Sequence, residues 1–173
     1  IQLGVHHADN LQYLPGPVAA VSSHARKLYT KSEVPDAIMS ILEFESGPLG
    51  YLGTGWASPG VYQLRLQGTE ANLFYDLDFN NWDESHLVDS KSTLVSQAYR
   101  ESTRPLVDMP HTDMFREQLD EFALAIRGEA EIEVGALEAI RALAVVHAAL
   151  ESSKRNGEAV AVPPMVEKAG ALQ

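Results

Sequence analysis

The chain has 173 residues, of which 24 are acidic and 13 basic, giving a formal charge of −11, and 45% of it is apolar. A chain of this length buries about 70% of its unfolded surface and fits one domain with its own core. The acidity argues against nucleic acid as a partner, because phosphate backbones are held by clustered Lys and Arg, and no run approaches the ~20 apolar residues that a membrane span needs. The absence of cysteine removes disulfides, thiolate nucleophiles and Cys-based zinc sites, and points to a reducing, cytoplasmic setting.

The chain opens on Ile1 rather than methionine, and its first segment reads as the middle of a longer polypeptide. From Gln2 the pattern predicts a helix, closed by Pro15, Gly16 and Pro17. On that helix Gln2, His6, Asp9 and Tyr13 fall at i, i+4, i+7 and i+11 and share one polar stripe, while Val5, Ala8 and Leu11 turn inward. An imidazole beside a carboxylate on a rigid element is what proton transfer requires; a solvated helix face has the same composition. His6 and His7 are adjacent and point in different directions, which speaks against a shared metal ion.

Strands follow. The run Val18 to Tyr29 is rich in small and β-compatible residues, and Asp36 to Glu45 places Ile38, Leu42 and Phe44 on one side with Glu43 and Glu45 on the other. Leu49 to Ser58 comes after the Gly47-Pro48 turn. Val61 to Gln67 alternates Tyr62, Leu64 and Leu66 against Gln63, Arg65 and Gln67, breaks at Gly68 and resumes as Ala71 to Phe79, so the two runs predict a hairpin. Asn80 to Leu106 is polar and ambiguous, with one further strand over Ser92 to Ala98. From Asp113 the period becomes helical, with Phe115, Leu119, Phe122 and Ile126 recurring before Gly128. A second helix runs from about Val134 to Asn156, apolar at Leu137, Ile140, Ala144 and Leu150. Ala159 to Val162 gives a last strand, and Pro163-Pro164 opens a tail. This order predicts an α+β domain with one open, mostly antiparallel sheet and its helices on one face. An uncovered apolar sheet face would then be available for subunit association.

Other residues carry less. His147 falls seven positions after Ile140 and reads as a core histidine. Trp56, Trp82, Asn80, Asn81 and His86 are of types that line sugar sites, but such residues are equally ordinary in loops. The acidic stretch Glu129 to Glu133 reads as a solvated helix connection.

Taken together, Gly4-Val5-His6-His7-Ala8-Asp9 with Tyr13-Leu14-Pro15-Gly16, the Phe44-Glu45-Ser46-Gly47 turn, Gly68-Thr69 between two strands, and Glu151-Ser152-Ser153 with Gly157 resemble the C-terminal domain of the glucose-fructose oxidoreductase / inositol dehydrogenase / MocA (Gfo/Idh/MocA) family over nearly the whole chain. Ala71 stands where the family commonly has a second glycine. The resemblance implies a two-domain enzyme that passes hydride between a sugar or polyol carbon and NAD or NADP. The dinucleotide-binding domain and its catalytic lysine would lie upstream, so the chain by itself is expected to be inactive. No G-x-G-x-x-G opens a helix here. The family's histidine maps onto His6 as the proton-handling residue, with Gln2, Asp9 and Tyr13 beside the substrate and the open sheet face joining copies into a homo-oligomer. Gln2 stands where many polyol dehydrogenases of the family carry Asp, and cannot hold its negative charge. That departure supports one alternative, a ligand-sensing regulator of the same fold; a second alternative is a free-standing oligomerisation module.

Overall fold

The computed structural model describes residues 2–29, 31, 33–57, 61–78, 92–109 and 113–164. In chain order the elements are α1 (Gln2–Tyr13), β1 (Val18–Arg26), β2 (Ala37–Phe44), β3 (Leu49–Gly55), β4 (Val61–Gln67), β5 (Ala71–Asp78), β6 (Ser92–Ala98), α2 (Met114–Ile126), α3 (Ala136–Lys154) and β7 (Val160–Ala161). They form two compact units, Ile1–Ala57 with Glu133–Gln173, and Ser58–Ile132. The fold class is α+β with open antiparallel sheets. The single sheet expected from the sequence is instead two, ordered β3-β2-β1-β7 (sheet A) and β4-β5-β6 (sheet B).

Sheet A is built by alternation. Ser40, Leu42 and Phe44 of β2 are buried, whereas Met39, Ile41 and Glu43 between them are exposed. Register carries this pattern across: Leu42 pairs with Gly50, Ile41 with Tyr51 and Ser40 with Leu52. Gly50 has a steric reason, since a Cβ there would lie 2.8 Å from the Phe44 ring. On the inner face, α1 and α3 close a core of Ala8, Val18, Val21, Leu42, Phe44, Leu52, Val145, Ala148, Ala149 and Val162. The outer face leaves Met39, Ile41, Leu49 and Tyr51 exposed.

The C-terminal end of α3 is fastened to β1 by hydroxyls. The short strand β7 pairs with β1 only at Ala20 and Val21. Beyond it the backbone N–H groups of Ser23 and Ala25 donate to Ser152 Oγ and Ser153 Oγ, each at 2.8 Å. Ser152 passes its own proton to the Glu158 carbonyl at 2.6 Å, and Ser23 Oγ lies 2.8 Å from Ser40 Oγ. Ser23, Ser40 and Ser152 are buried, and each is hydrogen-bonded rather than isolated. Asp36 ends the β1–β2 connection in the same manner, accepting from the Leu28 and Tyr29 N–H groups at 2.8 Å, which is why β1 stops at Arg26 rather than continuing to Tyr29.

Two helical stripes differ from expectation. The buried seam of α3 is Ala142, Val145, Ala148, Ala149 and Ser152, not Leu137, Ile140, Ala144 and Leu150; Ala144 packs at its margin and Ile140 is 47% exposed. Small residues occupy the seam because the helix lies close on β1. His147 is exposed, because it shares the outward side of the helix with Ile140 rather than the Val145 side. On α2 the start is as expected: Asp113 caps it by accepting from Arg116 N–H at 3.1 Å, and Gly128, at φ +72°, follows its end. Its recurring Phe115, Leu119, Phe122 and Ile126 are nonetheless all exposed.

In the second unit, Tyr62, Leu64 and Leu66 alternate with exposed Gln63, Arg65 and Gln67, and β4 pairs with β5 in the expected hairpin. β6 matches the strand expected over Ser92 to Ala98 and pairs with β5 from Ala71↔Ala98 to Leu77↔Ser92.

Candidate functional site

Helix α1 is held by its apolar side. Ala8 is fully buried, Leu11 packs on the core and α1 lies against α3 and β3. Gln12 secures the exit, its side-chain Oε1 accepting from Val18 N–H at 3.2 Å while its Nε2 donates to the Ala8 carbonyl. The opposite, polar side is therefore presented on a rigid element. His6 is exposed, Asp9 half-buried and Tyr13 exposed. Gln2 begins the helix, and its side chain lies outside the described residues.

The stripe is tied down at one end. The Tyr13 hydroxyl donates to Glu133 Oε1 at 2.6 Å, and this hydrogen bond, with the adjacent negative charge, raises the phenol above its ordinary value of 10.0. Glu133 lies in the connection expected to be solvated and is exposed there, and from it accepts the Tyr13 proton. With the two residues 120 positions apart, no local pattern could have joined them. No hydrogen bond links His6 to Asp9 among the described residues, so the stripe places the pair on one face without coupling them. Among the described residues no cluster of three or more His, Asp or Glu side chains is arranged to hold a metal ion.

His7 differs from its neighbour. Burial, and secondarily repulsion from His6, lowers its pKa from the ordinary 6.5. The unfolded chain then takes up a proton more readily than the folded one, so stability falls as pH drops below about 6.5. Between about pH 7.5 and about pH 5.5, on either side of the ordinary imidazole value, the urea midpoint of the unmodified chain should fall further than that of His7→Gln. Parallel declines would remove His7 as the cause.

Trp56 is exposed at the end of the β2–β3 hairpin. Trp82, Asn80, Asn81 and His86 lie outside the described residues. Among the described residues no strand passes into a helix through a glycine-rich turn, which is the geometry that seats a pyrophosphate.

An open antiparallel sheet backed by two helices, with Gly4-x-His6-x-x-Asp9 on the helix that leads into its first strand, makes up the α+β unit that carries His6. The chain belongs to the Gfo/Idh/MocA oxidoreductase family, whose C-terminal alpha/beta domain model matches residues 1–162. Among solved structures it is similar to a candidate NADPH-dependent oxidoreductase from Desulfitobacterium hafniense, with 43% identity and a TM-score of 0.85 over 93% of this chain and 47% of that one. The fold is also that of levoglucosan dehydrogenase in complex with NADH, at 15% identity, TM-score 0.77 and coverage of 94% and 50%. It is shared as well by the WlbA dehydrogenase of Bordetella pertussis in complex with NADH and UDP-GlcNAcA, at 20% identity, TM-score 0.60 and coverage of 94% and 46%. The chain thus spans about half the length of these proteins. None of the curated proteins matches it in sequence.

Proposed function

We propose that this chain is the substrate-side domain of an NAD(P)-dependent oxidoreductase acting on a sugar or polyol hydroxyl, with His6 handling the hydroxyl proton. The observation that carries this reading is the exposed imidazole of His6 at the family's histidine position, on a helix fixed from behind by Ala8 and Gln12. The dinucleotide, which supplies hydride chemistry, is held by residues other than these. Asp9, one turn after His6, offers an acceptor to substrate hydroxyls, and the Tyr13 oxygen, its proton given to Glu133, offers another; Gln2, one turn before His6 in the sequence of the helix, carries an amide, a group able to donate and to accept. Turnover and dinucleotide affinity measured side by side on His6→Ala in the complete enzyme test the assignment.

A ligand-sensing regulator is the second reading, favoured by Gln2 standing where an acidic residue would support an imidazolium. In that case His6→Ala alters ligand affinity and there is no turnover to lose. No helix among the described residues is long and apolar enough to cross a membrane, and a cytoplasmic enzyme accords with a chain free of cysteine.

The same reading assigns a second copy to the outer face of sheet A. Tyr51 and Ile41 are cross-strand partners there, 62% and 53% exposed, with Met39 and Leu49 beside them, and a contiguous apolar patch of this kind marks an interface. Ile41→Glu should convert a dimeric or larger assembly to monomer in light scattering coupled to size exclusion. An assembly of unchanged mass would move the interface elsewhere.

A further inference from the structure

Seven of the eight arginines of this acidic chain fall into two groups, the eighth, Arg26, donating to the Ala25 carbonyl. Arg116, Arg127, Arg141 and Arg155, in and beside the helices, each meet a carboxylate within 3.7 Å. Arg65, Arg100 and Arg104, on and beside sheet B, have no carboxylate partner among the described residues. They rest on aromatic rings instead. The guanidinium carbons of Arg65 and Arg104 lie 5.7 Å and 4.4 Å from the centroid of the Phe74 ring, and that of Arg100 lies 5.1 Å from the Tyr99 centroid. An aromatic face orients a guanidinium without neutralising it. With almost two acids for every base in the chain, three guanidiniums without a carboxylate partner in one region are available to an anion from outside.

A cavity of about 340 Å³ lies at this place, lined by Asn72, Gln97, Tyr99 and Arg100, with Glu70 and Glu101 also in its wall. Asn72 and Gln97 are cross-strand partners, and Arg104, outside the cavity wall itself, is bonded to Gln97 within it. Gln97 fixes that arginine: its Oε1 accepts from Arg104 Nε at 2.9 Å, and its Nε2 donates to the Glu101 carbonyl at 2.9 Å. The terminal nitrogens of Arg104 are thereby oriented while remaining available. Arg100 is held at φ +65°, a left-handed conformation that costs a non-glycine residue energy.

We infer that this cavity binds a small hydroxylated carboxylate, its charged group taken by Arg100 and Arg104 and its hydroxyls by Asn72, Glu70 and Glu101. A simple inorganic anion would leave the two acidic walls opposed to it; a neutral polyol would leave the guanidiniums unmatched. The site lies within the Ser58–Ile132 unit and is independent of His6.

Gluconate, glucitol and sulfate titrated into the chain, followed by amide NMR at Gly68, Gln97 and Arg100, provide the test. Gluconate should give saturable shifts there, glucitol and sulfate far weaker ones. Arg100→Gly keeps the left-handed backbone at no steric cost and should weaken gluconate by about tenfold or more, the scale of one lost charge-assisted contact, as should Arg104→Gln. An equal response to sulfate would mean an adventitious ion only, an equal response to glucitol a charge-blind surface, and undiminished binding by Arg100→Gly no role for the guanidinium; each overturns the inference.

Discussion

Replacing His6 by alanine is expected to lower turnover of the complete enzyme by about 10²- to 10⁴-fold, the range over which a positioned acid or base contributes, while leaving dinucleotide affinity unchanged. The direction follows from where the ring sits. His6 is exposed on the polar side of α1 and takes no part in the core that Ala8 and Leu11 build on the other side, so its removal subtracts chemistry rather than packing. A loss in turnover with an unaltered melting temperature would therefore be specific. Turnover equal to that of the unmodified enzyme would remove His6 from the mechanism. A parallel loss of thermal stability would mean that the histidine supports the helix instead.

The second large effect is structural. Ser152→Ala should destabilise the chain by about 1–3 kcal/mol, because the buried Ser23 N–H loses its partner and an unsatisfied buried polar group costs about that much; the Glu158 carbonyl, on an exposed residue, adds less. Ser152 is fully buried, so water cannot take the place of the hydroxyl without opening the packing between α3 and β1. Equilibrium urea unfolding measures the difference; a change within experimental error would show that the network relaxes and that its other members re-pair. Ser152→Thr, which keeps the hydroxyl, should recover part of the loss, limited by the room for one added methyl.

Much of the architecture was legible in the sequence because strand alternation and turn residues are local signals. Ile38, Leu42 and Phe44 against Glu43 and Glu45 located β2 and its inward face, and Asp113 and Gly128 bracketed α2 within a residue or two. What was missed depended on contacts between distant segments. The seam of α3 is made of alanines and a serine, which a search for large apolar residues passes over in favour of Leu137 and Ile140, and His147 was misplaced by the same reasoning. The division into two sheets is invisible to alternation, which reports which face a residue takes and not which strand lies beside it. On the site, the shared stripe of His6, Asp9 and Tyr13 followed from helical geometry, and the exposed ring of His6 agrees with it. The Tyr13–Glu133 hydrogen bond did not, since only the packing of α1 beside the segment before α3 brings those residues together.

The hydroxyls that fasten α3 to β1 also decide how sheet A can grow. A β-strand margin with unpaired amides is a template for a foreign strand, and proteins blunt such margins by covering them. Here Ser152 and Ser153 take the amide protons of Ser23 and Ala25 that an invading chain would need, and β7 occupies the positions before them at Ala20 and Val21. On that flank the β1 amides at Ser23 and Ala25 are already taken, so a foreign strand finds no free donors at those positions.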